Sequence, residues 1–321
     1  MGSSVSDSKR AVAHIFNSAI AAPAIGAAWE LGLLDELLDQ NKVDVQNYAE
    51  QNNMDRGSLK GLASALATVG VVERDGDTVV AGRLFDEAHR TKSLFHWLCL
   101  GSGSLFSRMQ YVLRNENRTG SFYSRDSAAI AYACREINKE FFDPVFWTAM
   151  RGLDYQIHSI VDLGCGSGRY GRVLERGFGD RLTFTEGDAC ALDYRDEFSQ
   201  VDLLTCFLMG HDFWPRDNCI ATLKRLRKAL PNVRRFLLGD TTRILLDSAD
   251  SKNNARSQYA VTEDDVPIFT LGFEFGHAMM GAFLPTIEDW EGVFAEGGWR
   301  CKKSHTFAHS LSVIFELEPL D

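Results

Sequence analysis

Ser159 to Leu174 reads SIVDLGCGSGRYGRVL, and the fold turns on this stretch. An apolar run ends in an acid, alternating glycines follow, and a helical stretch begins. Glycines are needed there because the backbone must turn tightly and admit a ligand where a Cβ would stand in the way. A glycine triplet of this kind serves NAD as well as other nucleotides, so the surroundings must decide. Downstream, LTFTEGD (182–188), VDLLTCFLMG (201–210), VRRFLLGDTT (233–242) and SLSVIFELEP (310–319) read as strands. CIATLKRLRKAL (219–230) and the start of TIEDWEGVFAEGG (286–298) read as helices. Strands alternating with helices predict an α/β domain over 151–321, a doubly wound sheet that holds ligands at its strand ends.

Upstream the pattern changes. Ala11 to Leu38 has helical spacing, and Ser58 to Val69 predicts a helix closed by Gly70. VVERDGDTVV (71–80) sets two β-branched runs around Asp75-Gly76, a hairpin signal. Helices followed by a hairpin predict a mostly helical winged-helix domain over 10–95. The presumed recognition helix carries one lysine and no arginine, so assembly is expected of it rather than DNA binding. Residues 96–150, with KEFFDPVFWTAM at the end, are expected to form a helical linker that roofs a pocket.

The bulk numbers narrow the partners. A chain of 321 residues, 45% hydrophobic and 24% charged, suits a globular protein of two domains. Its net charge of −10 argues against a nucleic-acid groove. The seven cysteines are scattered, odd in number and form no CxxC pair, which predicts reduced thiols in a cytoplasm. No run of about 18 consecutive apolar residues occurs, so no membrane partner is expected, and MGSSVSDSKR lacks an export signal's apolar core. A small-molecule substrate is the expectation.

Asp162 at the strand end, followed by Gly-Cys-Gly-Ser-Gly, resembles the first motif of the class I S-adenosylmethionine-dependent methyltransferases. The winged-helix start extends that resemblance to the small-molecule O-methyltransferase type. The resemblance implies a Rossmann-like sheet, S-adenosylmethionine as cofactor and a homodimer formed through the N-terminal domain. It places Gly164, Gly166 and Gly168 under the cofactor's methionine part, with Asp162 near them, and Phe207 at the end of the fourth strand beside it. One strand-helix unit is missing, because a single strand lies between the glycine loop and VDLLTCF. By spacing Glu186 fits the acid that holds the ribose; by local pattern Asp188 fits the one that meets the adenine. Either the two share the work in a compact variant, or the cofactor site is damaged.

LMGHDFWPRDN (208–218) stands where the family presents the methyl acceptor, and it is similar to the H-D-W loop whose histidine deprotonates a phenol. An imidazole suits a base at neutral pH. His277 lies in the apolar stretch LGFEFGHAMMG (271–281), where it is either a satisfied core histidine or a ligand. Together these motifs resemble the α-keto acid C-methyltransferases. That resemblance implies an iron-type divalent metal held by His211, Asp212 and His277, a 2-oxo acid substrate, and methylation of the carbon beside its carbonyl. The alternatives are O-methylation with His211 as base and a non-catalytic interaction protein. Asp212 could instead cap the following helix, and Asp240 and Glu274 are either pocket or capping residues. Phe141, Phe142, Phe146 and Trp147 could wall an aromatic pocket.

Overall fold

The computed structural model describes residues 2–165, 183, 185–246, 259–307 and 312–320, with side chains from residue 6 onward. Two compact units divide the chain, Met1–Glu140 and Phe141–Asp321.

In the first unit, α1 (Gly2–Glu30) and α2 (Leu33–Gln40) are separate helices, where the sequence suggested one apolar stretch. Gly32, at φ 80°, turns the chain between them. Then come β1 (Lys42–Asp44), α3 (Val45–Gln51), α4 (Arg56–Thr68), β2 (Val72–Asp75), β3 (Thr78–Ala81) and α5 (Phe85–His96). Asp44 and Asp55 start α3 and α4 by accepting the amides of Asn47 (2.8 Å) and Ser58 (2.7 Å). The expected hairpin forms, and β1 joins it in an antiparallel sheet of order β1-β3-β2. Trp29, Leu33, Leu34, Leu37, Val45, Leu66, Val79 and Phe85 fill one core beneath it. By length and composition Ser6–Glu30 is apolar enough to cross a membrane, so the expectation that no such stretch exists is corrected. Alanine-rich spacing brings the stretch there without any unbroken apolar run. The segment 96–150, expected as one linker, is divided between the units. Tyr132 packs on Trp29 (4.7 Å) and His96 (5.1 Å) in the first, and Phe146 on Phe207 (5.5 Å) in the second.

The second unit is built on β4 (Ile160–Leu163), β5 (Leu203–Phe207), β6 (Arg235–Thr241), β7 (Trp299–Thr306) and β8 (Ser312–Pro319), in sheet order β4-β5-β6-β8-β7. β4, β5 and β6 run parallel, and β8 returns antiparallel against β6 and β7. Every residue of β5 and β6 is buried, as parallel strands covered on both faces must be. Leu223, Leu226, Trp290, Phe294, Trp299 and Phe315 lie in the core beside them. Asp202 pins the start of β4 by accepting the amides of His158 (2.9 Å) and Ser159 (3.2 Å).

Of the strand expected at LTFTEGD, Leu182 and Phe184 lie outside the described residues, and Thr183 and Thr185 to Asp188 are exposed and belong to no strand. Among the described residues β4 therefore pairs with β5 alone, and the sheet is shorter than the sequence suggested.

Candidate active site

β5 delivers the histidine loop. Beyond Phe207 the chain bends at Leu208, a non-glycine residue at φ 54°, then enters a short turn, Gly210–Phe213, before the helix Arg216–Ala229. That helix starts from Pro215, so Asp212 does not cap it. Gly210 is required by crowding, since a Cβ there would lie 2.8 Å from Leu238 Cδ1 and 3.2 Å from Asp240 Oδ2. The close approach brings the His211 amide to Asp240 Oδ2 (2.7 Å) and His211 Nδ1 to Asp240 Oδ1 (3.0 Å). Asp240 also accepts the Thr241 amide (2.9 Å) and is fully buried. Three N–H donors thus offset the desolvation of its carboxylate. With Nδ1–H assigned to Asp240, Nε2 is the basic nitrogen of His211.

A second imidazole meets the first. His277 lies on the helix Thr270–Met280, and its Nδ1–H donates to the Phe273 carbonyl one turn back (2.7 Å). The two rings meet edge to face with centroids 4.6 Å apart, and Phe273 packs 4.1 Å from His277 and 5.5 Å from His211. Both histidines are buried. Asp212 is mostly exposed, with Oδ1 4.0 Å from His211 Nε2. Among the described residues no group of three His, Cys, Asp or Glu side chains is gathered to hold a metal ion. The donor chemistry still suits a divalent cation: two imidazoles whose Nδ1–H groups are engaged elsewhere, and a carboxylate beside one of them.

On the neighbouring strand, Asp162 stands opposite Thr205, whose hydroxyl donates to Oδ1 (2.7 Å). Its Oδ2 is buried without a hydrogen-bond partner among the described residues, and burial pushes the carboxyl up to about 6. Gly164 follows at φ 67°, and a Cβ there would lie 2.5 Å from Met209 Sδ. The glycine turn and the histidine loop are thus in contact. An unpartnered acid next to bare backbone fits the ammonium end of S-adenosylmethionine. Gly166 and Gly168 lie outside the described residues. Glu186 and Asp188 are both exposed, and Asp188 accepts the Cys190 amide (2.8 Å). Phe207 is buried against Phe146.

The structure therefore brings together Asp162, Gly164, Met209, His211, Asp240 and His277. Asp240 was undervalued in the sequence. Its signal was an acid closing the otherwise apolar strand FLLGD, at the strand end where such sheets bind ligands. Glu274 is drawn off by the Ile244 amide (2.6 Å).

No protein-family model matches the chain. It is 61% identical to methyltransferase ungE' of Aspergillus campestris, over 99% of both chains. The chain belongs to the class I S-adenosylmethionine-dependent methyltransferases. This methyltransferase is also 25% identical to the indolepyruvate C-methyltransferase of Streptomyces griseus, over 97% of this chain and 95% of that one. The human N-acetylserotonin methyltransferase, solved with S-adenosylmethionine, superposes at a TM-score of 0.67 with 14% identity, over 98% of each chain. The fold is of the O-methyltransferase-like type, with a helical N-terminal unit followed in the chain by a Rossmann-like sheet.

Proposed function

We propose that this methyltransferase C-methylates the carbon beside the carbonyl of a 2-oxo acid. One observation carries the reading: a second buried imidazole, His277, meets the His211 ring at 4.6 Å. Removing a proton from a phenol needs one such ring, whereas two basic nitrogens in an apolar setting suit a shared cation. His211, His277 and Asp212 would hold a divalent, iron-type metal. Bound there, the metal would polarise the keto oxygen and favour the enolate. The likeness to the indolepyruvate C-methyltransferase supports the same acceptor class. Asp240 and the Phe273 carbonyl fix the tautomers of the two rings, and Phe273 keeps water from them. In the transfer the carbon beside the carbonyl gives up its proton, a carbon–carbon bond forms, and the carbon–sulfur bond of the cofactor breaks to release S-adenosylhomocysteine.

The second reading is metal-free O-methylation by a His211–Asp240 base. It is favoured by a dyad already complete at 3.0 Å. Incubation with S-adenosylmethionine and either a 2-oxo acid or a phenol separates the two. A methyl doublet in the product's proton spectrum, lost after chelation and in His277→Ala, supports C-methylation. A methoxy singlet that survives both treatments overturns it.

The exposed apolar side chains of Val12, Ile15, Phe16 and Ile20 on α1 support a homodimer through the first unit. Light scattering of Phe16→Glu, expected to be monomeric, tests that. The cysteines are all free, which suits the expected cytoplasmic setting, and fluorescent tagging in cells would check it.

A further inference from the structure

Thr205 is the polar exception in β5, whose other residues are Leu203, Leu204, Cys206 and Phe207, and it is fully buried. A valine would fill the same space without the cost of burying a hydroxyl. The parallel ladder of β4 on β5 sets Thr205 opposite Asp162. Its Oγ1 lies 2.7 Å from Asp162 Oδ1 and 3.4 Å from the Val161 carbonyl. A hydroxyl has one proton to give, and the shorter contact takes it. Asp162 Oδ2 keeps no partner among the described residues.

Two influences oppose each other at this acid. Burial favours its protonated form, and the Thr205 hydroxyl favours the carboxylate. No arginine or lysine among the described residues shares that task. The other titratable groups that feel Asp162 are the thiols of Cys165 and Cys206, both pushed up chiefly by burial and so uncharged at neutral pH. The balance leaves the Asp162 carboxyl at about 6, within reach of ordinary pH changes.

We propose that Thr205 is a positioning residue for the cofactor: its hydroxyl orders one oxygen of Asp162 and keeps the acid ionised, leaving the other oxygen for the ammonium of S-adenosylmethionine. Uptake of cofactor then displaces the proton that Asp162 carries in mildly acidic solution. The inference rests on the S-adenosylmethionine-dependent family of the chain and stands whichever atom accepts the methyl group.

Calorimetric titration of the full chain with S-adenosylhomocysteine between pH 5 and pH 8 tests it. Wild-type affinity falls as pH drops through about 6. On the order of half a proton is released per molecule bound at that midpoint, read as enthalpies that vary with the buffer. 5′-Methylthioadenosine, which lacks the ammonium, shows no such step. Thr205→Val keeps the shape and moves the step up by about one pH unit. Its affinity is then about fivefold below wild type at pH 6 and within about twofold at pH 8. Thr205→Ser restores the wild-type profile, and Thr205→Ala gives the valine result should Thr205→Val fail to fold. A wild-type affinity flat across pH would overturn the contact between Asp162 and the ammonium. A wild-type step that Thr205→Val leaves in place, or an equal loss at every pH, would overturn the role of Thr205.

Discussion

The two loops at the carboxyl ends of β4 and β5 lie in contact and are built on opposite principles. In the histidine loop the buried acid and both ring N–H groups have partners: Asp240 collects three N–H donors, and each imidazole has its Nδ1–H placed. In the glycine turn the acid is half-satisfied, with one oxygen of Asp162 on Thr205 and the other alone. The first is organised before any ligand arrives; the second leaves a buried oxygen open to one. Preorganisation serves the group that must meet a transition state, while an incomplete site lets cofactor enter and product leave.

The sharpest way to break the contrast is Asp240→Asn. It removes the charge that fixes His211 without changing shape, and should lower kcat by about 10²–10⁴-fold. S-adenosylhomocysteine affinity, measured by calorimetry, should stay within threefold, since Asp162 is untouched.

Asp162→Asn breaks the other side. A carboxyl held at about 6 favours the folded state while protonated, and that contribution fades as pH rises through 6. At pH 8 the buried charge costs the ligand-free protein at most ~3 kcal/mol. The variant should then melt above wild type at pH 8, the gap closing toward pH 4, while its affinity for S-adenosylhomocysteine falls. A wild-type melting profile across that range would show that Asp162 is not strained.

Gly164→Ala sharpens the comparison further. A left-handed backbone costs a non-glycine residue about 1–2 kcal/mol, and the new methyl also meets Met209. Met209→Ala should restore only part of the lost Tm, because the backbone term persists. The smallest effect belongs to Glu186→Gln, which should change stability by less than about 0.5 kcal/mol, as exposed substitutions do. Any larger fall in cofactor affinity would assign Glu186 to the ribose.

Local signals carried much of this into the sequence. The acid-glycine turn, the strand ending in HD and the hairpin at Asp75-Gly76 all follow from chemistry within ten residues. Asp240 did not, because its role depends on the register that pairs Phe207 with Gly239 across two strands. In LTFTEGD the β-branched spacing suggested a strand, whereas the described residues there, Thr183 and Thr185 to Asp188, are exposed and outside any strand. His277 was legible as an oddity, but its partner, 66 residues earlier, was fixed only by the packing of a helix on a strand end.

Among the described residues β4 pairs with β5 alone, whereas β6 is laddered on both sides. Amide exchange should therefore reach β4 well before β6 in the ligand-free protein. Cofactor bound at the end of β4 adds RT ln(1 + [L]/Kd), about 2.7 kcal/mol at a hundredfold excess over Kd. The methyl donor would thus double as a conditional staple on β4, and the enzyme's lifetime in a cell would rise and fall with its supply.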